Sequence, residues 1–335
     1  MIEETFNRLK GEHLRPGDII LSTTPLKLSA AIRLATNSDI SHALLCVGAY
    51  TAIDATGSGV HSNNTQRLLF ATSQPLYVLR YKTPLPNTTL LAITDFARSK
   101  VGTRYSTLEA MKVRIGATEE KSRQQFCSRL VAQAYASVGI SLVNNPDFCS
   151  PEELKKSTLL VPVAGLVESV SEALLVTLNN LADVPSHMRS VTEMLLAQIR
   201  TIEPSIEGIN DVIQYLRKHP QADIVTLTAF RDSGYLDAWR VEVSSKQWQY
   251  DYAALEQSDD SADEKRAYCE QVIDGHSDEV WRFEVNFARL DEYLKEANLA
   301  TFSALNEVNL RMIDLLRQKV VVAKRWLLAN THNNI

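Results

Sequence analysis

A thiol, an imidazole and a carboxylate are enough to build a covalent acyl-transfer site. The thiolate attacks a carbonyl, the imidazole moves the proton, and the carboxylate orients the imidazole. Cys127, His42 and Asp54 are three residues that pattern alone can bring together in this chain. In the strand-like stretch from Ser41 to Val47, His42, Leu44 and Cys46 share a face; in Tyr50 to Ala55, Ala52 and Asp54 share one. A hairpin centred on Gly48, with Cys46 opposite Tyr50, sets His42 opposite Asp54 at about 5.5 Å. A slip of one residue would send them to opposite faces. Cys127 stands near the start of the helical run from Gln124 to Val138, in step with Val131, Ala134 and Val138 on the side that faces a sheet. A thiol in a first helical turn feels the positive end of the macrodipole and unpaired amides, both of which favour the thiolate. Each residue also has a plainer reading: a small buried hydrophobe for Cys127, a core or edge residue for His42, a turn former for Asp54.

The elements that must position these side chains follow from turn signals and periodicity. Pro16-Gly17 precedes a strand from Asp18 to Leu21, and Thr24-Pro25 supplies an N-cap and first position for a helix through about Ala35. Gln66 to Ala71 and Leu76 to Tyr81 read as further strands. From Asn87 the pattern is helical, with Leu90, Leu91, Phe96 and Ala97 on one side, and it stays so around Thr107 to Ile115 and Gln124 to Val138. Residues 1–160 are therefore expected to be α+β, a small antiparallel sheet packed on helices. After Pro162 the spacing predicts an all-α domain over residues 161–335. Its seams are Val191, Met194, Leu195 and Ile199; then Ile206, Ile209, Ile213 and Leu216; then Phe302, Leu305, Val308, Met312, Leu315 and Leu316. Gln257 to Asp263 reads as a polar loop. Such stripes make an ordinary bundle or a groove for a protein partner.

Composition narrows the function classes. With 335 residues, 45% hydrophobic and 22% charged, the chain is a soluble globular protein of two domains. Residues 1–160 hold 18 Lys+Arg against 13 Asp+Glu and residues 161–335 hold 17 against 27, and no basic cluster is interleaved with aromatics, which argues against nucleic acid. Cys46, Cys127, Cys149 and Cys269 show neither CxxC nor a regular spacing, so no zinc ribbon or disulfide scaffold is expected, and a reducing compartment fits. Asp259, Asp260 and Asp263 lack the glycine and terminal glutamate of a calcium loop, and Gly57-Ser-Gly59 is too short to cradle a phosphate; no metal and no cofactor is expected. His61 reads as a loop residue on the substrate side or the surface. The first residues, MIEETFNRLKGEH, do not form an export signal. Leu159 to Leu178 is interrupted by Pro162, Gly165, Glu168, Ser171 and Glu172, so no transmembrane segment is expected there. A cytoplasmic location follows, or export by a dedicated secretion system. The amphipathic stretch from Val163 to Leu178 leaves room for weak contact with a membrane surface.

Five stretches in order carry a resemblance: Arg15-Pro-Gly-Asp-Ile-Ile, Ile40-Ser-His-Ala-Leu-Leu-Cys-Val-Gly, Ala52-Ile-Asp-Ala-Thr-Gly-Ser-Gly-Val, Val101-Gly-Thr-Arg-Tyr-Ser and Gln125-Phe-Cys-Ser-Arg-Leu-Val-Ala-Gln-Ala-Tyr. They resemble the circularly permuted branch of the NlpC-type papain-like cysteine hydrolases, the YiiX/YebB-like group, over about residues 14–160. In that group the histidine strand precedes the cysteine helix. The resemblance implies Cys127 as nucleophile, His42 as base and Asp54 as the third polar residue, with Tyr105 near the oxyanion and Ser128 and Ser41 on the oxyanion or substrate side. Two positions depart from the family: Arg129 stands where glutamate is common, and Asp54 where glutamate is frequent. The activity implied is hydrolysis of an amide, ester or thioester, or acyl transfer, through an acyl-enzyme, on peptide or acyl-lipid substrates. Two alternatives accompany it. One is a delivered antibacterial or host-directed effector with cell-wall amidase or lipid-acyl activity; the other is a non-catalytic binding module with a partner-docking helical domain.

Overall fold

Runs of β-branched and aliphatic residues broken by turns at Pro16-Gly17, at Tyr50 and at Gly57-Ser58 build the sheets of the first half. The structure, a computed structural model, describes residues 5–23, 38–48, 50–105, 125–171, 174–176, 183–258 and 260–330. The helix expected from Thr24 through Ala35, the helical stretch Thr107 to Ile115 and part of the amphipathic stretch Val163 to Leu178 lie outside the described residues. The strands are β1 (Phe6–Leu9), β2 (Ile19–Ser22), β3 (His42–Gly48), β4 (Thr51–Thr56), β5 (Gly59–Asn64), β6 (Phe70–Ala71), β7 (Leu76–Tyr81), β8 (Leu160–Pro162) and β9 (Val167–Ser169). Six form an antiparallel sheet in the order β5-β4-β3-β2-β7-β8, and three a small antiparallel sheet in the order β6-β1-β9.

Alternation sorts the large sheet's side chains between two cores. Ile19, Leu21, Ala43, Leu45, Val47, Ile53, Ala55 and Leu79 pack on one side against Ile93 and Ala97 of helix α1 (Asn87–Ser99) and Leu130, Val131, Ala134 and Tyr135 of helix α2 (Cys127–Ala136). Ile20, Leu44, Cys46, Ala52 and Val78 pack on the other side with Leu9, Leu14 and Leu166. Cys46 is thus a core residue. The start of β2 is pinned by Asp18, whose carboxylate accepts from Arg80 Nε and Nη2, each at 2.7 Å, and from the Arg15 amide at 2.8 Å. Gly17 adopts φ +88°, open to glycine at little cost, and its carbonyl accepts from the Tyr135 hydroxyl at 2.5 Å, tying helix α2 to the strand entrance.

The compact division of the chain falls later than residue 160. One unit comprises Met1–Arg189 with Ser205–Asn210, and the other Ser190–Pro204 with Asp211–Ile335. The reason is that β8 and β9 lie after Leu159 and pair with β7 and β1, so a segment read as helical from Pro162 onward belongs in part to the sheets. Helix α3 (Val184–Ile202) runs from the first unit into the second. The second unit is helical, as the spacing predicts, and includes α4 (Asp223–Asp232), α5 (Ala262–Glu296) and α6 (Ala300–Asn330). Ser261 and Glu264 form a capping box that starts α5 within the expected polar loop, and the Asp223 carboxylate accepts from the amides of Ala300 and Thr301 to start α6. Val191, Leu195 and Ile199 are buried as expected, whereas Met194 is exposed and the neighbouring Leu196 is buried in its place. Among the described residues no helix is long and apolar enough to cross a membrane.

Candidate active site

Position 42 opens strand β3 and position 127 opens helix α2. His42 and Asp54 meet, but not in the register that the hairpin pattern gives. The strands pair Leu44 with Asp54 and Cys46 with Ala52, and a bulge between Cys46 and Gly48 leads into a turn where Tyr50 takes φ +57°. The register is shifted by two residues. An even shift preserves the face, so Asp54 is the diagonal neighbour of His42 rather than its direct partner. The imidazole spans the diagonal: His42 Nε2 lies 2.8 Å from Asp54 Oδ2, with side-chain exposures of 14% and 9%.

The Nε2–H donated to Asp54 leaves Nδ1 as the ring nitrogen for the Cys127 sulfur, which is near enough to act on the imidazole. Burial opposes protonation of the imidazole. The hydrogen bonds and negative charges of Asp54 and Cys127 outweigh it and push the His42 pKa up to about 10. Burial likewise opposes ionisation of Asp54, yet the bond and charge of His42, a bond from Asn63 and the charge of His61 hold its carboxyl below the usual range. Cys127 is buried at the first position of a ten-residue helix that no side chain caps at Phe126, so its sulfur sits beside first-turn amides at the positive end of the helix.

Tyr105 is brought in by two pairings. The Val60 amide donates to Thr103 O and the Gly102 amide to Val60 O, each at 2.9 Å, which lays residues 102–103 along the start of β5. Gly59 makes that approach at φ +118°, and a Cβ there would stand 2.8 Å from Thr103 O. Two residues on, Tyr105 forms a parallel bridge with Gln125, and the Gln125 amide donates to Arg104 O at 3.0 Å, immediately before the Phe126-Cys127 step. Burial raises the Tyr105 phenol pKa, and the charge on Cys127 raises it further, so the hydroxyl remains a proton donor.

The other expected site residues are placed as follows. The Ser128 hydroxyl is buried and donates to Cys149 O at 2.6 Å, which spends its proton on anchoring the helix. Ser41 is buried beside His42, its amide donating to Ser22 O at 3.0 Å. Arg129 is fully buried, its guanidinium 4.4 Å from the Phe126 ring centroid and 4.9 Å from that of Phe148, with Nε donating to Asp147 O. His61 is not in a loop: it lies in β5, 3% exposed and directly opposite Asp54, with Nε2 2.8 Å from Ser58 Oγ. The Gly57-Ser-Gly59 turn is short, and the strand resumes at once. Asn63, which sequence reasoning passed over, donates from Nδ2 to Asp54 Oδ1 at 2.9 Å. Its signal was only that it shares the alternation parity of His61 in the same strand. Cys46, Cys149 and Cys269 are buried, and burial raises all three thiol pKa values, that of Cys269 to about 11. Among the described residues no group of three His, Cys, Asp or Glu side chains could hold a metal ion.

Residues 13–158, a little under half of the chain, match the family described as permuted papain-like amidase enzyme, YaeF/YiiX, C92 family. A solved structure, that of the metalloprotein yiiX from Escherichia coli O157:H7, is 17% identical, covering 45% of this chain and 96% of that one, with a TM-score of 0.31. No curated protein matches the chain.

Proposed function

From the premise that residues 13–158 are a permuted papain-like amidase domain, we propose that Cys127, His42 and Asp54 are its catalytic relay and that it works through an acyl-enzyme. The observation that supports this most is the Asp54 carboxylate holding His42 Nε2 at 2.8 Å, with the Cys127 sulfur near enough to act on the same ring. With its pKa pushed up to about 10, His42 holds the proton of the Cys127 sulfur as an imidazolium that Asp54 orients and stabilises. The sulfur adds to a substrate carbonyl, and the developing oxyanion is met by the Cys127 amide and the Tyr105 hydroxyl. The imidazolium returns its proton to the leaving nitrogen or oxygen, leaving an S-acyl cysteine. Water, deprotonated by His42, then releases the acid and restores the thiol; another nucleophile in place of water gives acyl transfer.

The bond cleaved is that of an amide, ester or thioester, and peptides and acyl lipids are the substrate classes proposed. Delivery as an effector against a cell wall or a lipid is the narrower form of this reading, and toxicity confined to periplasmic targeting would support it. The opposing case is a non-catalytic binding module. Alkylation by iodoacetamide separates the two. An active site requires Cys127 to be modified far faster than Cys46, Cys149 and Cys269, with the advantage lost in His42→Ala; equal slow modification of all four cysteines means an inert module.

A further inference from the structure

Two side chains from beyond the family-matched residues close on the parts of the site. Asn63 can orient its amide in two ways, and only one of them presents Nδ2 to the Asp54 carboxylate. Arg189, in helix α3, donates from Nη2 to Asn63 Oδ1 at 2.9 Å. A guanidinium only donates, so it accepts no partner but the amide oxygen and thereby fixes which end of Asn63 faces Asp54. A reversed amide would set its oxygen against the carboxylate. The second contact is at the Tyr105 segment. Glu207 accepts from the Arg104 amide at 3.2 Å and from the Arg104 guanidinium, Nη2 to Oε1 at 2.6 Å, and its side chain is only 10% exposed. Arg104 is the residue whose carbonyl receives the Gln125 amide, so Glu207 holds the strand segment that sets Tyr105 before Cys127. Both residues fall within the first compact unit, Glu207 through the inserted stretch Ser205–Asn210.

We infer that the hydrolase unit is completed by residues outside its family-matched domain: Arg189 is a positioning residue that acts through Asn63 on Asp54 and His42, and Glu207 is one that acts through Arg104 on Tyr105. The inference rests on the relay proposed above. It follows that residues 13–158 alone carry the relay side chains without the two groups that hold them in register.

The test uses the full-length chain. Iodoacetamide modification of Cys127 is followed by mass spectrometry at neutral pH in the wild type, Arg189→Gln, Asn63→Ala and the double variant, and the His42 titration midpoint is read by NMR. Each single substitution is expected to slow modification about tenfold, the rate equivalent of one hydrogen bond. The double variant is expected to be no slower than the slower single, because both break one chain of bonds, and the His42 midpoint is expected to fall in all three. A role confined to stability predicts additive losses and an unmoved midpoint, and that result overturns the Arg189 assignment. If Arg189→Gln loses cooperative thermal unfolding, Asn63→Ala breaks the same bond from the strand side, and its midpoint decides. Glu207→Gln is expected to slow acetyl transfer from p-nitrophenyl acetate to Cys127 about tenfold, and an unchanged rate overturns that half. Failure of the relay looks different. Wild-type Cys127 would then react no faster than the other three cysteines, whereas fast wild-type modification with variants at the wild-type rate and midpoint refutes the brace alone.

Discussion

Replacing Asp54 with asparagine exchanges one oxygen for an NH2 group and reverses one hydrogen bond. The carboxylate now accepts from His42 on Oδ2 and from Asn63 on Oδ1. An asparagine offers one acceptor and one donor, so either Asn63 or His42 is left facing an N–H. If His42 faces it, Nε2 must become the acceptor and the proton moves to Nδ1, the nitrogen that has to take the thiol proton; the tautomer is then wrong for catalysis. The charge is lost in either case. A charge-assisted bond of about 1.5–3 kcal/mol, at about 1.4 kcal/mol per pH unit, lowers the His42 midpoint from about 10 by about one to two units. Modification of Cys127 at neutral pH falls by up to about a hundredfold, and acyl transfer by about two to four orders of magnitude. The assay is NMR of the His42 ring with labelled histidine, assigned by the spectrum of His42→Ala, alongside iodoacetamide kinetics. The linkage has a definite sign. A histidine whose folded pKa lies above its ordinary 6.5 contributes stability fully below that value, and the contribution fades as pH rises towards about 10. The wild type is therefore expected to lose melting temperature from pH 7 to pH 10 more steeply than Asp54→Asn. A midpoint and a stability slope that do not respond to the substitution would refute the reasoning.

Other perturbations have equally direct readouts. Tyr105→Phe removes the proposed oxyanion donor and is expected to lower the acylation rate with p-nitrophenyl acetate about a hundredfold while leaving the melting temperature near that of the wild type. Gly59→Ala places a Cβ 2.8 Å from Thr103 O at φ +118°, so about 1–3 kcal/mol of stability is expected to be lost in urea denaturation, with slower acylation as the Tyr105 segment shifts. Asp18→Asn leaves Arg80 without its carboxylate at a site where the Asp18 side chain is 1% exposed; about 3 kcal/mol is expected, discounted for the 26% exposure of Arg80, and a urea midpoint equal to the wild type would contradict the pinning of β2.

Much of the site was legible because the relevant signals are local. Alternation put His42 and Asp54 on one face, and that survived a two-residue error in register because parity survives it; the bulge before Gly48 and the left-handed Tyr50 carry no sequence signature that would have placed the turn correctly. The helical period gave Cys127 its place facing the sheet, and its position at the helix start followed from the run itself. His61 was misread because a Gly-Ser-Gly turn resembles a longer loop, whereas β5 begins at its last glycine. β8 and β9 are three residues each, too short for a period of two to register against the surrounding apolar run. Asn63, Arg189 and Glu207 were out of reach for a different reason: the partners are separated by 126 positions in one contact and 103 in the other, and no local pattern encodes such a meeting. Ser128 and Arg129 follow Cys127 in sequence, but their polar groups serve packing around Cys149, Phe126 and Phe148.

The central claim is that the sulfur at position 127 is made nucleophilic by the imidazole at position 42. Brief incubation with p-nitrophenyl acetate, followed by intact and peptide mass spectrometry, tests it directly. The account predicts a single acetyl group on Cys127 in the wild type, strongly reduced in His42→Ala and lost in Cys127→Ala. Acetyl groups scattered over lysines and the remaining cysteines, at the same level in the wild type and in His42→Ala, would contradict it.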